Sequence, residues 1–504
     1  MANPNPHPTL CDVVRTHALR TPDKLAITDL AESVSYAELD RRTNQVANAL
    51  AGIGVVPGER IVYLGRNRLA FFELLFGLAK LGAVLAPLNW RLTAPEVHAL
   101  VEDARARVVF VDPEFEDVFG DPPAPPVETL IVLGEPYRRL RDAAGATDTG
   151  RTPSPDDVVV QSYTSGTTAL PKGVMLTHRN YDHARRVGDL LGITEHSVVM
   201  AAMPVFHVGG NVYGLFAACV GGTMVTTNTF QPHEITELIE RYRVTTLNLA
   251  PTMIATLASA QEERPRDLSS LESIIYGGQS ISEKVLARIR SVLTTPLIQC
   301  FGMTECTGAV TALMPEDHVE SHLMSTGRAF DWVELAIFDP DSGRELGPAE
   351  VGELRVRSPQ CTPGYWNRPE ATAALFDADG WLRTGDAGYL DPEGYLYLTD
   401  RIKDMIITGG ENVYPAEIEN VLVEHPGVAE VAVVGTPDEK WGEVVTAFVV
   451  RAGGATVTGE QLIEWSRPRI AGFKRPRRVE IVTELPRNAG GKVLRRELRG
   501  RAVT

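Results

Sequence analysis

Val158-Val-Val-Gln-Ser-Tyr-Thr-Ser-Gly-Thr-Thr-Ala-Leu-Pro-Lys-Gly173 is the stretch on which the reading of this chain turns. Its first part, VVVQSY, is a β-branched run that predicts a strand, and it leads straight into a loop of hydroxyls and glycine. Thr164, Ser165, Thr167 and Thr168 supply hydroxyl donors, Gly166 lets backbone N–H groups approach closely, and Lys172 adds a cation. That set suits the oxygens of a phosphate. It is not a P-loop of the G-x-x-x-x-G-K-[ST] kind, because Pro171 stands in place of the second glycine. A proline keeps the preceding residue out of the helical region, so the chain cannot turn directly into a phosphate-capping helix.

Outward from this loop, β-rich runs alternate with helical patterns from about residue 25 to 340, as in RIVYL (60–64), RVVFVD (107–112) and TLNLAP (246–251). The alternation predicts βα units and parallel sheets. LAFFELLFGLAKLGAVLAPL (69–88) approaches the length of a membrane span but contains Glu73 and Lys80. Each would cost about 3 kcal/mol at a bilayer centre, so the stretch is read as a buried amphipathic helix entering a strand. DPPAPPVE (121–128) and GRTPSPDD (150–157) read as surface connections. From Ala329 onward, VELAIFD, GELRVRS and GYLYLTD predict short strands in a small barrel or twisted antiparallel sheet. In the last hundred residues, PAEIENVLVEHPGV predicts a helix starting after Pro415, and VAEVAVVGTPD and VVTAFVVRAG predict strands. The fold class is therefore α/β, a large N-terminal part with parallel sheets and a β-barrel-like subdomain, followed by a small α+β part.

The 504 residues carry 49 Lys+Arg against 65 Asp+Glu, a formal charge of −16, which disfavours a nucleic-acid binder. The five cysteines, Cys11, Cys219, Cys300, Cys306 and Cys361, are odd in number, widely spaced in sequence and never in a C-x-x-C pair. They fit thiols of a reducing cytoplasm. MANPNPHPTL has no basic stretch followed by an apolar one, so no export signal is expected there. The final segment is locally basic, with Arg467, Arg469, Lys474, Arg475, Arg477, Arg478, Lys492, Arg495, Arg496, Arg499 and Arg501 against Glu480, Glu484 and Glu497. It reads either as a solvated positive face or as a docking surface for the phosphates of a large anionic cofactor.

Several further motifs stand in a fixed order: APLNWRL (86–92), MPVFHVGG (203–210), YGGQS (276–280), CFGMTE (300–305), TGD (384–386), DRIKD (400–404), GGENVYPAEIE (409–419) and PRNAGGK (486–492). Together with the 163–173 loop they make the chain resemble the adenylate-forming enzymes, which include acyl-CoA synthetases, aryl-CoA ligases, luciferases and peptide-synthetase adenylation domains. The resemblance covers nearly the whole chain. It implies an N-terminal domain over 1–402 that binds ATP and a carboxylic acid, and a mobile C-terminal domain over 403–504 hinged at Lys403. It implies ATP, Mg²⁺ and coenzyme A as cofactors; a cytoplasmic enzyme is expected, with a homodimer as one possible assembly.

By the same resemblance, the loop Thr164 to Thr168 and Lys172 hold the β- and γ-phosphates. Gly277, Gly278, Gln279, Cys300, Phe301, Gly302 and Met303 receive adenine and the α-phosphate, with Thr304 donating to that phosphate and Glu305 holding Mg²⁺. Asp386 and Arg401 clamp the ribose, His207 gates the carboxylate site, and Gly409, Gly410, Glu411 and Lys474 face coenzyme A. Lys492 bridges the acid and the α-phosphate. Two anions must meet there, and an ammonium about 4 Å away at an effective dielectric near 20 contributes about 4 kcal/mol, or roughly 10³ in rate. Rotation about Lys403 would then withdraw Lys492 and bring Gly409 to Val413 against the thiol's tunnel. The chain departs from the family pattern at Ala169, usually glycine, at Phe301, usually tyrosine, and at Gln279, usually small. His207, Val208, Asn211, Val212, Asn248, Tyr276, Met303 and Gly308 are expected to line the acyl pocket. No arginine is among them, which points away from a dicarboxylate and toward a fatty or arylalkyl acid. The alternatives are passage of the activated group to a carrier-protein thiol or an amine, or a catalytically silent nucleotide-binding scaffold.

Overall fold

The structure is a computed structural model that describes residues 9–120, 126–164, 171–277, 283–408, 411–438, 440–487 and 493–501. The chain divides into two compact units, Met1–Glu334 with Arg357–Leu382, and Leu335–Val356 with Arg383–Thr504.

The first unit contains the expected parallel sheets. One has six strands in the order Thr129–Val132, Val108–Val111, Arg60–Leu64, Val84–Leu88, Val158–Thr164 and Lys172–Thr177. All neighbours are parallel except the last pair, an antiparallel hairpin. The other has nine strands, in the order Arg328–Ala329, Gly308–Leu313, Leu297–Met303, Ser273–Gly277, Thr246–Leu249, Val198–Ala201, Thr223–Thr226, Leu25–Thr28 and Ser33–Ser35. Its interior pairs are parallel, and antiparallel pairing is confined to its two ends. The strands RIVYL, VVFV and TLNL lie where the β-branched runs place them.

The apolar stretch forms the helix Leu69–Leu81 and the strand Val84–Leu88. The helix is buried nearly all round rather than along one stripe, so "amphipathic" is corrected to "enclosed". A second apolar helix, Val208–Val220, meets it, since a Cβ on Gly214 would stand 3.2 Å from the Phe72 ring. The two internal charges are neutralised locally. Glu73 accepts from Arg42 and Arg141 at 3.0 Å and from the Tyr137 hydroxyl at 2.6 Å. Lys80 donates to Asp40 and Asn44, both at 2.6 Å. Burial of these ions is tolerable only because each is paired and hydrogen-bonded. Among the described residues no helix is long and apolar enough to cross a membrane.

The second unit holds most of a four-stranded sheet, Glu334–Phe338, Gly352–Arg357, Leu382–Leu390 and Leu396–Arg401 in that order. Of the barrel and the sheet that the sequence left open, the described strands take the sheet. A five-stranded sheet follows, built on the long antiparallel pair Val428–Asp438 and Gly442–Arg451. The helix Pro415–Val423 buries Ile418 and Leu422 against Val433 and Val445.

Candidate functional site

The hairpin Val158–Thr164 and Lys172–Thr177 pairs Thr164 with Lys172, so the two ends of the hydroxyl loop are fixed side by side. The chain leaves Pro171 as a strand rather than a helix, in agreement with the steric argument. Ser165, Gly166, Thr167, Thr168 and Ala169 lie outside the described residues. Gly173 is required for space, because a Cβ there would stand 2.6 Å from the Gln161 amide nitrogen.

A segment that the sequence reading passed over, Thr362–Trp366, lies along this hairpin. Met175 N–H donates to the Gly364 carbonyl at 3.1 Å and Trp366 N–H donates to the Gly173 carbonyl at 2.8 Å. Arg60 stacks 3.3 Å above the Trp366 ring, and the Trp366 indole donates to the Asp103 carbonyl, anchoring the segment from below. Tyr365 is thereby held with its ring 4.8 Å from Lys172 Nζ and its hydroxyl 2.9 Å from Glu305 Oε1. Burial and the neighbouring carboxylate push the phenol's pKa far up, so it stays protonated and donates to Glu305. A cation and a carboxylate 133 positions apart in sequence are thus gathered on one side chain, the cation at the Tyr365 ring and the carboxylate at its hydroxyl. The signal in the sequence was Pro363-Gly364-Tyr365-Trp366, a turn followed by two aromatics.

Glu305 and Thr304 open a short 3₁₀ turn, Thr304–Cys306, after the strand Leu297–Met303. Glu305 is buried and its backbone carbonyl accepts from Thr362 N–H at 2.7 Å. Gly277 ends the adjacent parallel strand opposite Cys300, and a Cβ on it would collide with the Cys300 carbonyl. Gly302 is under the same demand from the Gly308 carbonyl. These two glycines let the strand ends close up, so their first role is packing. Strand alternation sends Cys300 and Phe301 to opposite faces. The Cys300 thiol is buried and hydrogen-bonded to Tyr213, with its pKa pushed up to about 12, so only its backbone is offered to a ligand. Phe301 and Met303 are half-buried. Gly278 and Gln279 lie outside the described residues.

His207 caps the helix Val208–Val220, its Nδ1 accepting from Gly209 N–H at 3.0 Å. Its proton therefore belongs on Nε2. The residue is exposed, yet desolvation by its surroundings lowers its pKa, so it is neutral at pH 7. Asn248 donates to the Gly209 carbonyl at 3.0 Å, and Val212 is the nearest side chain to Gly308. Two expected pocket residues are corrected. Asn211 is fully buried between Tyr181 and the Val205 carbonyl, and Tyr276 is fully buried with its hydroxyl on Gln299 and His318. Both satisfy internal hydrogen bonds and are core.

In the second unit, Asp386 and Arg401 are direct partners across the antiparallel pair Leu382–Leu390 and Leu396–Arg401. Asp386 is buried, and its N–H donates to Thr384 Oγ1 while Thr384 donates to the Leu354 carbonyl. Gly385 between them has φ of +68°. The side chains of Arg401, Lys403 and Glu411 are not described. Gly409, Gly410 and Lys492 lie outside the described residues. Lys474, expected to be available to an anionic cofactor, is instead held by both carboxylate oxygens of Glu417 at 2.8 Å. Its turn, Gly472–Lys474, packs against the strand Glu411–Val413. Among the described residues no three His, Cys, Asp or Glu side chains converge as a metal cage. Magnesium needs none when phosphates supply most of its ligands, and Glu305, with one oxygen on Tyr365, fits the single protein carboxylate such an ion takes.

Residues 14–366 match the family described as AMP-binding enzyme, and residues 417–492 match the AMP-binding enzyme C-terminal domain. A fatty acid–[acyl-carrier-protein] ligase, ScoC, of Streptomyces coeruleorubidus is 40% identical over 98% of this chain and 97% of its own. A feruloyl-CoA synthase of an Amycolatopsis species is 38% identical over 96% of this chain and 97% of its own. Among solved structures, the o-succinylbenzoate CoA synthetase of Bacillus subtilis in complex with its acyl-adenylate superposes with a TM-score of 0.88, at 33% identity and 97% coverage of both chains. The same enzyme is known in complex with ATP and a magnesium ion.

Proposed function

This chain belongs to the AMP-binding enzyme family, and within that family we propose that it activates a fatty or arylalkyl acid with ATP and passes the acyl group to the thiol of coenzyme A. It is an AMP-forming acid ligase of the acyl-CoA synthetase type, using ATP, magnesium and coenzyme A. The observation that carries the proposal is the arrangement of Lys172 and Glu305 about Tyr365, with Lys172 opposite Thr164 at the carboxyl end of one parallel-paired strand and Glu305 just after the carboxyl end of another, where α/β sheets bind their ligands.

The roles follow from that arrangement. Lys172 and the loop Thr164, Ser165, Gly166, Thr167 and Thr168 hold the β- and γ-phosphates. Tyr365 orients Glu305, which accepts the magnesium ion; bound there, the ion neutralises charge on the departing pyrophosphate. Thr304 and the strand ends Gly277, Gly278, Gln279, Cys300, Phe301, Gly302 and Met303 take the α-phosphate and adenine, and Asp386 with Arg401 takes the ribose. Lys492 sits between the acid's carboxylate and the α-phosphorus, and the acyl-adenylate forms as pyrophosphate leaves. His207, neutral and carrying its proton on Nε2, offers one hydrogen bond at the mouth of the acid site. The thiol step then uses Gly409, Gly410 and Glu411, while Lys474 stays on Glu417. We place the moving boundary at Lys403, between 1–402 and 403–504, although contact density joins 383–402 to the second unit. We further place the reaction in the cytoplasm, with a homodimer as the assembly to be checked by light scattering.

A second reading has its own support: the likeness to a ligase whose acceptor is an acyl-carrier protein. A pyrophosphate-release screen over fatty, arylalkyl and dicarboxylic acids separates the cases when run alone, with coenzyme A and with a phosphopantetheinylated carrier protein. Thioester formed on coenzyme A with a monocarboxylic acid supports the first reading. Thioester formed only on the carrier supports the second, and no release with any acid overturns both.

A further inference from the structure

Two of the five thiols, 55 positions apart in sequence, stand with their sulfurs 3.6 Å apart: Cys306, the residue after Glu305, and Cys361, the residue before Thr362. We propose that Cys306 and Cys361 form an oxidisable dithiol that a peroxide closes into a disulfide, and that closure slows adenylation by displacing Glu305. The second half of this statement rests on the role given to Glu305 above; the first half does not.

The segments that carry the pair are hydrogen-bonded to one another. Thr362 N–H donates to the Glu305 carbonyl at 2.7 Å, the Gln360 amide donates to the Cys306 carbonyl at 2.8 Å, and the Thr307 hydroxyl donates to the Gln360 carbonyl at 2.8 Å. Asn180 fixes the Cys361 carbonyl from the other side at 2.9 Å. A disulfide needs about 2.05 Å between sulfurs, so about 1.6 Å of closure remains. Rotation about the side chains supplies part of that and the short 304–306 turn the rest.

Access is one-sided. Cys306 is wholly buried, whereas Cys361 is half-buried in the wall of an open cavity of about 260 Å³, between Trp332, Arg357, Thr362 and Phe376. A peroxide fits it many times over. Cys11, Cys219 and Cys300, by contrast, are buried, and burial pushes their thiols up to about 11, 12 and 12. They are poor nucleophiles.

The chemistry balances in two steps. The Cys361 sulfur attacks one oxygen of hydrogen peroxide, the O–O bond breaks, and the thiol proton leaves with the other oxygen as water, giving the sulfenic acid. The Cys306 sulfur then attacks that sulfur, the S–O bond breaks, and the Cys306 proton leaves with the hydroxyl as a second water. Two thiols are oxidised, one peroxide is reduced, and dithiothreitol reverses the result. The bond pulls Cys306 toward Cys361, and with it Glu305, whose carboxylate is set by Tyr365.

The test uses the full chain, reduced and then treated with hydrogen peroxide. Intact mass is expected to fall by about 2 Da, and the peptide map to link residues 306 and 361. Cys361→Ser should abolish the link, while Cys306→Ser should leave a sulfenic acid on Cys361 that dimedone traps. ATP–pyrophosphate exchange, with an acid from the screen, should fall about tenfold on oxidation, recover with dithiothreitol, and resist peroxide in Cys361→Ser. A link between other cysteines, or no mass loss, overturns the pair. Full linkage with unchanged exchange overturns its effect on adenylation. Reduced enzyme inactive with every acid overturns the proposed function instead, and the mass map still decides the pair.

Discussion

Lys172 in the first unit lies over the Tyr365 ring while the Tyr365 hydroxyl reaches Glu305, so an ammonium and a carboxylate are both held by one tyrosine. In the second unit the cations are treated differently. Lys474 is chelated by Glu417, Arg495 pairs with Glu419 at 2.9 Å, Arg499 pairs with Asp404 at 3.1 Å, and Arg469 and Arg477 stack on Trp465 and Trp441. Three of the cations that make the segment basic in sequence, Lys474, Arg495 and Arg499, are therefore paired with acids from earlier in the chain. Neither the solvated positive face nor the docking surface that the sequence allowed includes these ion pairs. A count of charges predicts a field only where the partners are in the same stretch.

This contrast can be broken at several points. The largest effect is expected at Lys492, the second-unit lysine assigned to the reaction itself. Lys492→Ala should lower adenylation by roughly 10³, about 4 kcal/mol, yet leave thioester formation from supplied acyl-adenylate largely intact. Equal loss in both half-reactions would show that the division of labour is wrong.

Next comes acid. His178 in the first unit is buried, accepts from Leu10 N–H at 3.2 Å, and has its pKa lowered by desolvation to about 4. Its unfolded value is about 6.5. Between those two values the unfolded chain binds the extra proton, so stability is full above pH 6.5 and falls as pH drops toward 4, by about 3 kcal/mol in all. Denaturant melts at pH 7 and pH 4.5 should show the loss, and His178→Gln should flatten it. A pH-independent midpoint would contradict this account of His178.

Tyr365→Phe removes one hydrogen bond to a buried carboxylate while keeping the ring under Lys172. A loss of about 2 kcal/mol is expected, roughly 30-fold in ATP–pyrophosphate exchange, with a higher magnesium requirement. If the magnesium requirement stays put, Tyr365 is not what orients Glu305. Ala169→Gly restores the family's usual residue in the loop and should raise adenylation by about fivefold if that position needs positive φ, worth about 1 kcal/mol. Unchanged kinetics would remove the point. The smallest effect is expected from Lys474→Ala. The Lys474–Glu417 pair is partly solvated, so stability should change by well under about 1 kcal/mol, and KM for coenzyme A by about threefold at most. A large KM change would mean that Lys474 exchanges Glu417 for the cofactor.

The placement of the candidate site residues on their elements was legible in the sequence where a motif is continuous. Thr164 and Lys172 flank the hydroxyl loop, Thr304 and Glu305 follow a strand, and Asp386 follows a positive-φ glycine, each read from local residue type. Tyr365 was not, because its significance comes from hydrogen bonds between residues 364–366 and 173–175, which no local pattern encodes. Asn211 and Tyr276 were misread for the converse reason. Their neighbours in sequence belong to motifs, while their own side chains turn inward to Tyr181 and His318.

The order of residue types along the chain determined the strands, the α/β class and the family, because hydrophobic period, turn chemistry and motif spacing are local properties. Only the tertiary structure decided which charges remain available, which glycines are spacers, that Glu73 and Lys80 are held by partners up to 68 residues away, and that two distant thiols touch. Those outcomes depend on which side chains meet after the sheets form. At interior distances a partner a few ångströms away outweighs anything the neighbouring sequence supplies.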